Sequence, residues 1–272
     1  MDELLSTRKA AALLGVGPTA VKRWADVGDL PCQRTAGGHR RFRRDDVEAM
    51  RRGARAADDA AGPTAEAERW IAVLLHTRRD QIYAVEGLLL QARAREGAWH
   101  RVAERLGEVL TAIGERWERG ELSVLEEHLA SERFSRALEH VAATMPSAPT
   151  MPAALLVTAA GDDHTLGLSL VELCLREAGW RVLWAGRATP VEEVAAHVEA
   201  DAVRMVAASA SSHSQDESAL VQWLTTLGPV CRDHSVHLLL GGRGAWPERP
   251  AFGTRIRGFR ELAAYLAGAR QP

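Results

Sequence analysis

From residue 153 onward the chain alternates short apolar runs with amphipathic helical ones. ALLVTAA (154–160), WRVLWAG (180–186), VRMVAASA (203–210) and VHLLLGG (236–242) read as buried strands. LGLSLVELCLREAG (166–179), PVEEVAAHVEA (190–200), SALVQWLTTLGPVC (218–231) and FRELAAYLAGA (259–269) read as helices. Strands that alternate with helices predict a parallel sheet covered on both faces. Such a sheet offers a ligand site at the carboxyl ends of its strands, where strand order switches. Residues 66–145 carry helical patterns and no proline, which predicts a helical bundle. PSAPTMP (146–152) holds three prolines and marks a boundary. GARAADDAAGPTA (53–65) lacks bulky apolar residues and contains Gly62-Pro63, so it reads as a linker.

Residues 1–52 are basic and hold short helical patterns. Thr7 is placed to cap a helix over Arg8–Leu14, with Leu5 as a staple before it. Gly15-Val16-Gly17 reads as a tight turn, and Pro18 suits the first turn of a second helix, Pro18–Val27. Val21, Trp24 and Ala25 fall on one face of that helix; Thr19, Lys22, Arg23 and Asp26 fall on the other. An exposed Thr/Lys/Arg face after a tight turn suits readout of the DNA major groove. Gly37-Gly38 can turn a hairpin, placing Arg34, Thr35, His39, Arg40 and Arg41 on a wing within reach of phosphates. Asp45 would cap a third helix ending near Met50.

Composition adds an asymmetry. Over 272 residues the net charge is only −2, but residues 1–56 hold 12 Lys and Arg against 7 Asp and Glu, whereas the rest holds 22 against 29. A basic head on an acidic body points the head at a polyanion. The length suits about two domains, and an apolar share of 46% permits a sizeable core. Cys32, Cys174 and Cys231 are far apart and form no CxxC pair, which argues against a structural zinc site and a disulfide scaffold. The first residues, MDELLSTRKAAALLG, do not read as a signal peptide, and no apolar run approaches the roughly 18 residues that span a bilayer. A cytoplasmic protein without membrane association is expected.

Two features carry chemistry. DDHTLG places Asp162, His164 and Gly167 directly after the first strand of the alternating region. A histidine at a strand's carboxyl end is placed for ligation, and a nearby carboxylate can bond its second nitrogen and fix the tautomer. Gly167 leaves room for a bulky ligand. In IGERWERGELSVLEEHLASE (113–132), Gly120 is expected to end one helix and Glu121 to begin the next. Leu122, Leu125 and Leu129 would share a face of that next helix, and Trp117 could meet Glu127 and His128 across the corner.

The phrases LSTRKAAALLGVGPTAVKRWADVGDLP and RTAGGHRRFRRDDV resemble the MerR-type winged helix-turn-helix family. The order of helical bundle, DxHxxG loop, α/β sheet and Gly-Gly resembles the cobalamin-binding module of methionine synthase. Trp117 with Glu127-His128 narrows the resemblance to the CarH/LitR-type adenosylcobalamin-dependent regulators. The resemblance implies a multi-domain fold: a winged helix-turn-helix (1–52), a linker (53–65), a four-helix bundle (66–145) and a flavodoxin-like α/β cobalamin-binding domain (153–272). It implies that His164 takes cobalt from below, and that Trp117, Glu127 and His128 cover the adenosyl group. Ser209, Ser211, Gly241 and Gly242 would accompany the nucleotide tail. It further implies no enzyme activity, binding to double-stranded operator DNA as a homo-oligomer (dimer or tetramer), and repression relieved by light. A corrinoid sensor without photochemistry, or a corrinoid methyl carrier, are the alternatives. The chain departs from the pattern in three places: Ser209-Ala210-Ser211 stands for S-x-L, the histidine loop opens with Asp162 rather than Glu, and Glu118 follows Trp117 where a second cobalt-ligating histidine is expected.

Overall fold

A computed structural model describes residues 3–35, 37–59, 62–76 and 82–269. They divide into two compact units, residues 1–146 and 147–272.

The first unit begins with β1 (Leu4–Ser6), α1 (Thr7–Leu14), α2 (Pro18–Val27), β2 (Gln33–Arg34) and β3 (Arg40–Arg43). Ser6, not Thr7, caps α1: its hydroxyl accepts from the Lys9 amide at 3.3 Å, one residue earlier than the pattern suggested. Gly15 closes α1 at φ +66°, a left-handed conformation that favours glycine. Pro18 occupies the first turn of α2, where its missing amide proton costs nothing. The wing forms as expected, with Gly38 at φ +75° and β2 antiparallel to β3. β1 adds a third antiparallel strand on the far side of β3. It is three residues long and too short to show a period. Leu5, Ala10, Leu14, Val21, Trp24, Leu30, Phe42 and Val47 form the core of this head.

α3 (Arg44–Asp59) runs nine residues beyond the expected end at Met50, and α4 (Gly62–His76) begins almost at once. Most of the segment read as a linker is therefore helical; residues 60–61 lie outside the described residues. Its alanine and arginine content explains this: both are strong helix formers that need no bulky apolar face. α5 (Ile82–Glu96), α6 (Trp99–Glu118) and α7 (Val124–Ala143) follow and pack on one another and on α4, while α3 lies against α5. Trp70, Leu89, Trp99, Leu106, Phe134 and Leu138 are buried between them. The α1–α2 turn docks closely here: a Cβ on Gly15 would stand 1.9 Å from Arg93 Cζ, and one on Gly17 would stand 2.9 Å from Thr144 Cβ.

The second unit contains β4 (Ala153–Thr158), α8 (Leu166–Glu177), β5 (Arg181–Trp184), α9 (Val191–Glu199), β6 (Met205–Ser209), α10 (Glu217–Asp233), β7 (His237–Gly241), β8 (Thr254–Arg255) and α11 (Phe259–Gly268). Every strand and helix expected from the alternation is present; β8, only two residues long, is the addition. The sheet is parallel with order β5-β4-β6-β7-β8. In chain order within the module this is 2-1-3-4-5, the doubly wound arrangement whose switch point lies between its first and third strands. Here those strands are β4 and β6, and Thr158 pairs with Ser209 at their carboxyl ends. All six residues of β4 are buried, as a strand covered on both faces requires.

Candidate functional site

At the switch point, the β4–α8 loop and the β6–α10 loop meet around one carboxylate. Asp162 is buried at 2% exposure. Its Oδ1 accepts from the His164 amide at 2.9 Å and lies 3.0 Å from His164 Nδ1. Its Oδ2 accepts from the Ser211 amide and from the Ser214 hydroxyl at 2.7 Å. Burial alone pushes this carboxyl up, but the bonds from the Ser211 and His164 amides and the Ser214 and Ser211 hydroxyls outweigh it and hold the pKa at about 2. The group is therefore an anion at neutral pH and an acceptor toward Nδ1–H. That fixes the His164 tautomer with a lone pair on Nε2, and the side chain is 55% exposed.

Ser211, expected beside a nucleotide tail, lies next to His164. Its amide bonds Asp162 and its hydroxyl sits 3.2 Å from His164 Nδ1, so it belongs to the histidine cluster. Ser209 ends β6 half-buried, its carbonyl accepting from Ala159 at 2.8 Å. Gly242, at φ +86°, has a structural reason of its own: a Cβ there would meet the Ala210 carbonyl at 2.1 Å. A Cβ on Gly241 would make only an ordinary contact, 3.7 Å from the Ala208 carbonyl. At Gly167 no atom of the described residues lies within 4 Å of such a Cβ, so there is room beside the start of α8.

In the first unit, α6 ends at Glu118 and Gly120 reverses the chain at φ +72°. α7 starts three residues later than the sequence suggested, because Ser123 and Glu126 form a capping box. The Ser123 amide donates to Glu126 at 2.9 Å, and the Glu126 amide to the Ser123 hydroxyl at 3.3 Å. Leu122 is buried before the helix, but Trp117 is 43% and Leu125 66% exposed, with Val124 and Leu129 also exposed. Glu127 accepts from the Ser131 hydroxyl at 2.6 Å and stands 3.6 Å from His128 Nε2. Glu118 is exposed.

On the head, Thr19 and Lys22 of α2 are exposed, as are Arg34 and His39 on the wing. Arg23 stands 4.0 Å from Glu86 of α5. Arg40 pairs with Asp26 of α2, its side chain only 18% exposed, so it ties the wing to the helix. Arg41 is half-buried and donates to the Arg40 carbonyl at 3.3 Å.

Residues 4–55 match the model of the helix-turn-helix domain family, and residues 81–142 match that of the B12 binding domain. The HTH-type transcriptional repressor CarA of Myxococcus xanthus is 26% identical over 266 residues, which cover 89% of this chain and 87% of that protein. The repressor CarH of the same organism is 27% identical over 216 residues, 68% of this chain and 71% of that one. This chain is similar to both repressors over most of its length. The Methanosarcina barkeri monomethylamine corrinoid protein shares the fold, with a TM-score of 0.54 at 17% identity over 74% of this chain and 96% of that one.

The side chains at the switch point fit a corrinoid. Among the described residues no three His, Cys, Asp or Glu cluster around a common point, so no protein cage for a bare ion forms there. One anchored, outward imidazole is the donor set that suits a metal already held in a macrocycle. At the same strand ends Thr158 Oγ1 is buried with no hydrogen-bond partner among the described residues, a group that a polar ligand chain would satisfy. The sequence reading missed Ser214 and His213. Neither lies in a motif; the signal was the adjacency of β4 and β6, which brings the two following loops together. No described helix is long and apolar enough to cross a membrane.

Proposed function

We propose that the chain is a B12-dependent transcriptional repressor whose oligomerisation and DNA binding are set by adenosylcobalamin and reversed by light. The observation that carries this reading is the Asp162-anchored, outward-facing His164 at the switch point, in a chain with a helix-turn-helix head. His164 would hold cobalt through Nε2, with Gly167, Ser209, Gly241 and Gly242 along the cofactor's edge and tail. Bound adenosylcobalamin supplies a cobalt–carbon bond that visible light breaks. Trp117, Glu127 and His128 would contact the adenosyl group: the indole by stacking, the carboxylate and imidazole by hydrogen bonds to the ribose. These contacts favour the adenosyl form over a smaller upper ligand, the differential affinity that a switch requires.

Lys22, Arg23 and Thr19 would face the major groove, with Arg34, His39, Arg40 and Arg41 toward the backbone. Arg23 must then leave Glu86, and Arg40 can contact a phosphate only by sharing Asp26. Operator DNA bound by an oligomer in the cytoplasm completes the proposal. The test is size-exclusion chromatography with gel shift, in the dark and after green light, for wild type and Trp117→Ala. Larger oligomers and tighter DNA binding with adenosylcobalamin in the dark, lost on illumination and weakened in Trp117→Ala, support the proposal. Identical behaviour in dark and light contradicts the light response. The alternative is a corrinoid sensor without photochemistry. Glu118, an exposed carboxylate, stands beside Trp117 where a second cobalt-binding histidine would ligate the lit state. No stable bis-histidine state is therefore expected after illumination unless His128 supplies the ligand.

A further inference from the structure

The Asp162 carboxylate holds one atom of the His164 ring, Nδ1, and the Ser211 hydroxyl approaches the same atom. Contacts at a single ring atom set the tautomer but leave the ring plane free to swing about the Nδ1···O direction. His213 supplies what is missing. Its imidazole lies flat against that of His164, with ring centroids 4.3 Å apart and planes 7° from parallel. The stack is itself held: the His213 amide donates to Ser211 Oγ at 3.2 Å. Ser211 and Ser214, on either side of His213, both bond Asp162. One short loop after β6 thus grips the carboxylate, touches the ligating ring's anchored nitrogen and covers one face of that ring.

We propose that His213 is a positioning residue that sets the plane of the His164 imidazole. The proposal rests on the reading of His164 as the cobalt ligand for its consequence, but the stack exists without the cofactor. His213 contributes a flat face rather than a nitrogen, so phenylalanine should replace it and alanine should not. By analogy with other partners that orient a ligating histidine, losing the stack should weaken cofactor retention about 10-fold.

Two measurements on the full chain test this. In the cofactor-free protein, NMR should show a ring-current shift on the His164 Cε1–H that is lost in His213→Ala and kept in His213→Phe. In protein loaded with cobalamin and reduced to the cobalt(II) form, electron paramagnetic resonance should show nitrogen splitting from His164. His213→Ala should broaden that splitting and speed cobalamin dissociation about 10-fold; His213→Phe should restore both. A His213→Ala protein identical to wild type in NMR, splitting and dissociation would overturn the proposal. So would His213→Phe behaving like His213→Ala, which would assign the role to a nitrogen. If His164→Ala leaves the wild-type splitting unchanged while the NMR pattern holds, the stack stands and the ligand assignment falls.

Discussion

Around Asp162 the chain itself engages both carboxylate oxygens, each with at least two donors, whereas around Trp117 it leaves an indole and three aliphatic side chains open to solvent. Both regions were candidates for the same cofactor, and they are built in opposite ways. The histidine cluster is finished by folding: tautomer, charge and ring plane are set by residues from two adjacent loops. The α6–α7 corner is held by Gly120, the Arg119–Glu121 ion pair, the buried Leu122 and the Ser123–Glu126 capping box, while its outer face is left open. Glu127 accepts from Ser131 and stands beside His128, which is largely exposed. A ligand socket made this way can be rigid, while a surface left unsatisfied gains most when something covers it. For a regulator that division is useful, because only the unsatisfied surface can report whether its partner is present.

Substitutions should separate the two regions in a definite order. Asp162→Ala strands the Ser211 amide and the Ser214 hydroxyl and frees the His164 ring. It should cost about 3 kcal/mol of stability, since each hydrogen bond to a buried charge is worth about 1.5–3 kcal/mol, and weaken cobalamin binding about 10- to 100-fold. Urea unfolding and absorbance titration read the two effects; a loss below about 1 kcal/mol would mean that the cluster is not preset as described. Next, Ser123→Ala removes the cap that places Glu127 and His128 on α7 and should cost about 1 kcal/mol, measured by thermal unfolding. Smallest in stability is Trp117→Ala, within about 0.5 kcal/mol of wild type because the indole is exposed. Its effect should appear instead as a weaker preference for adenosylcobalamin over methylcobalamin. Should Trp117→Ala unfold the protein, the indole would be structural and the contrast would fail.

How much of this was legible in the sequence follows from where the signal is periodic. Buried parallel strands are continuous apolar runs, so β4 to β7 stood out, and with them the position of His164 just past a strand end. β1 and β8 have three and two residues and no room for a period. The helices across 53–65 were hidden because alanine forms helix without the bulky apolar side chains that mark a buried face. At the site, Asp162 and His164 are two residues apart and visible as a motif, but Ser211, His213 and Ser214 lie about fifty residues on, joined only by the pairing of β4 with β6. Arg40 looked like a phosphate contact because wing arginines are usually solvated. Its pairing with Asp26 depends on how the wing folds back on α2, which no local pattern encodes.

In the proposed switch, a cofactor held by His164 would govern DNA binding by the head. It is tested most directly by fluorescence anisotropy on DNA selected from a random pool by the cofactor-loaded protein, for wild type and His164→Ala, with and without adenosylcobalamin in the dark. Adenosylcobalamin should tighten DNA binding of wild type and leave that of His164→Ala unchanged. Equal tightening in both proteins, or none in wild type, would contradict it.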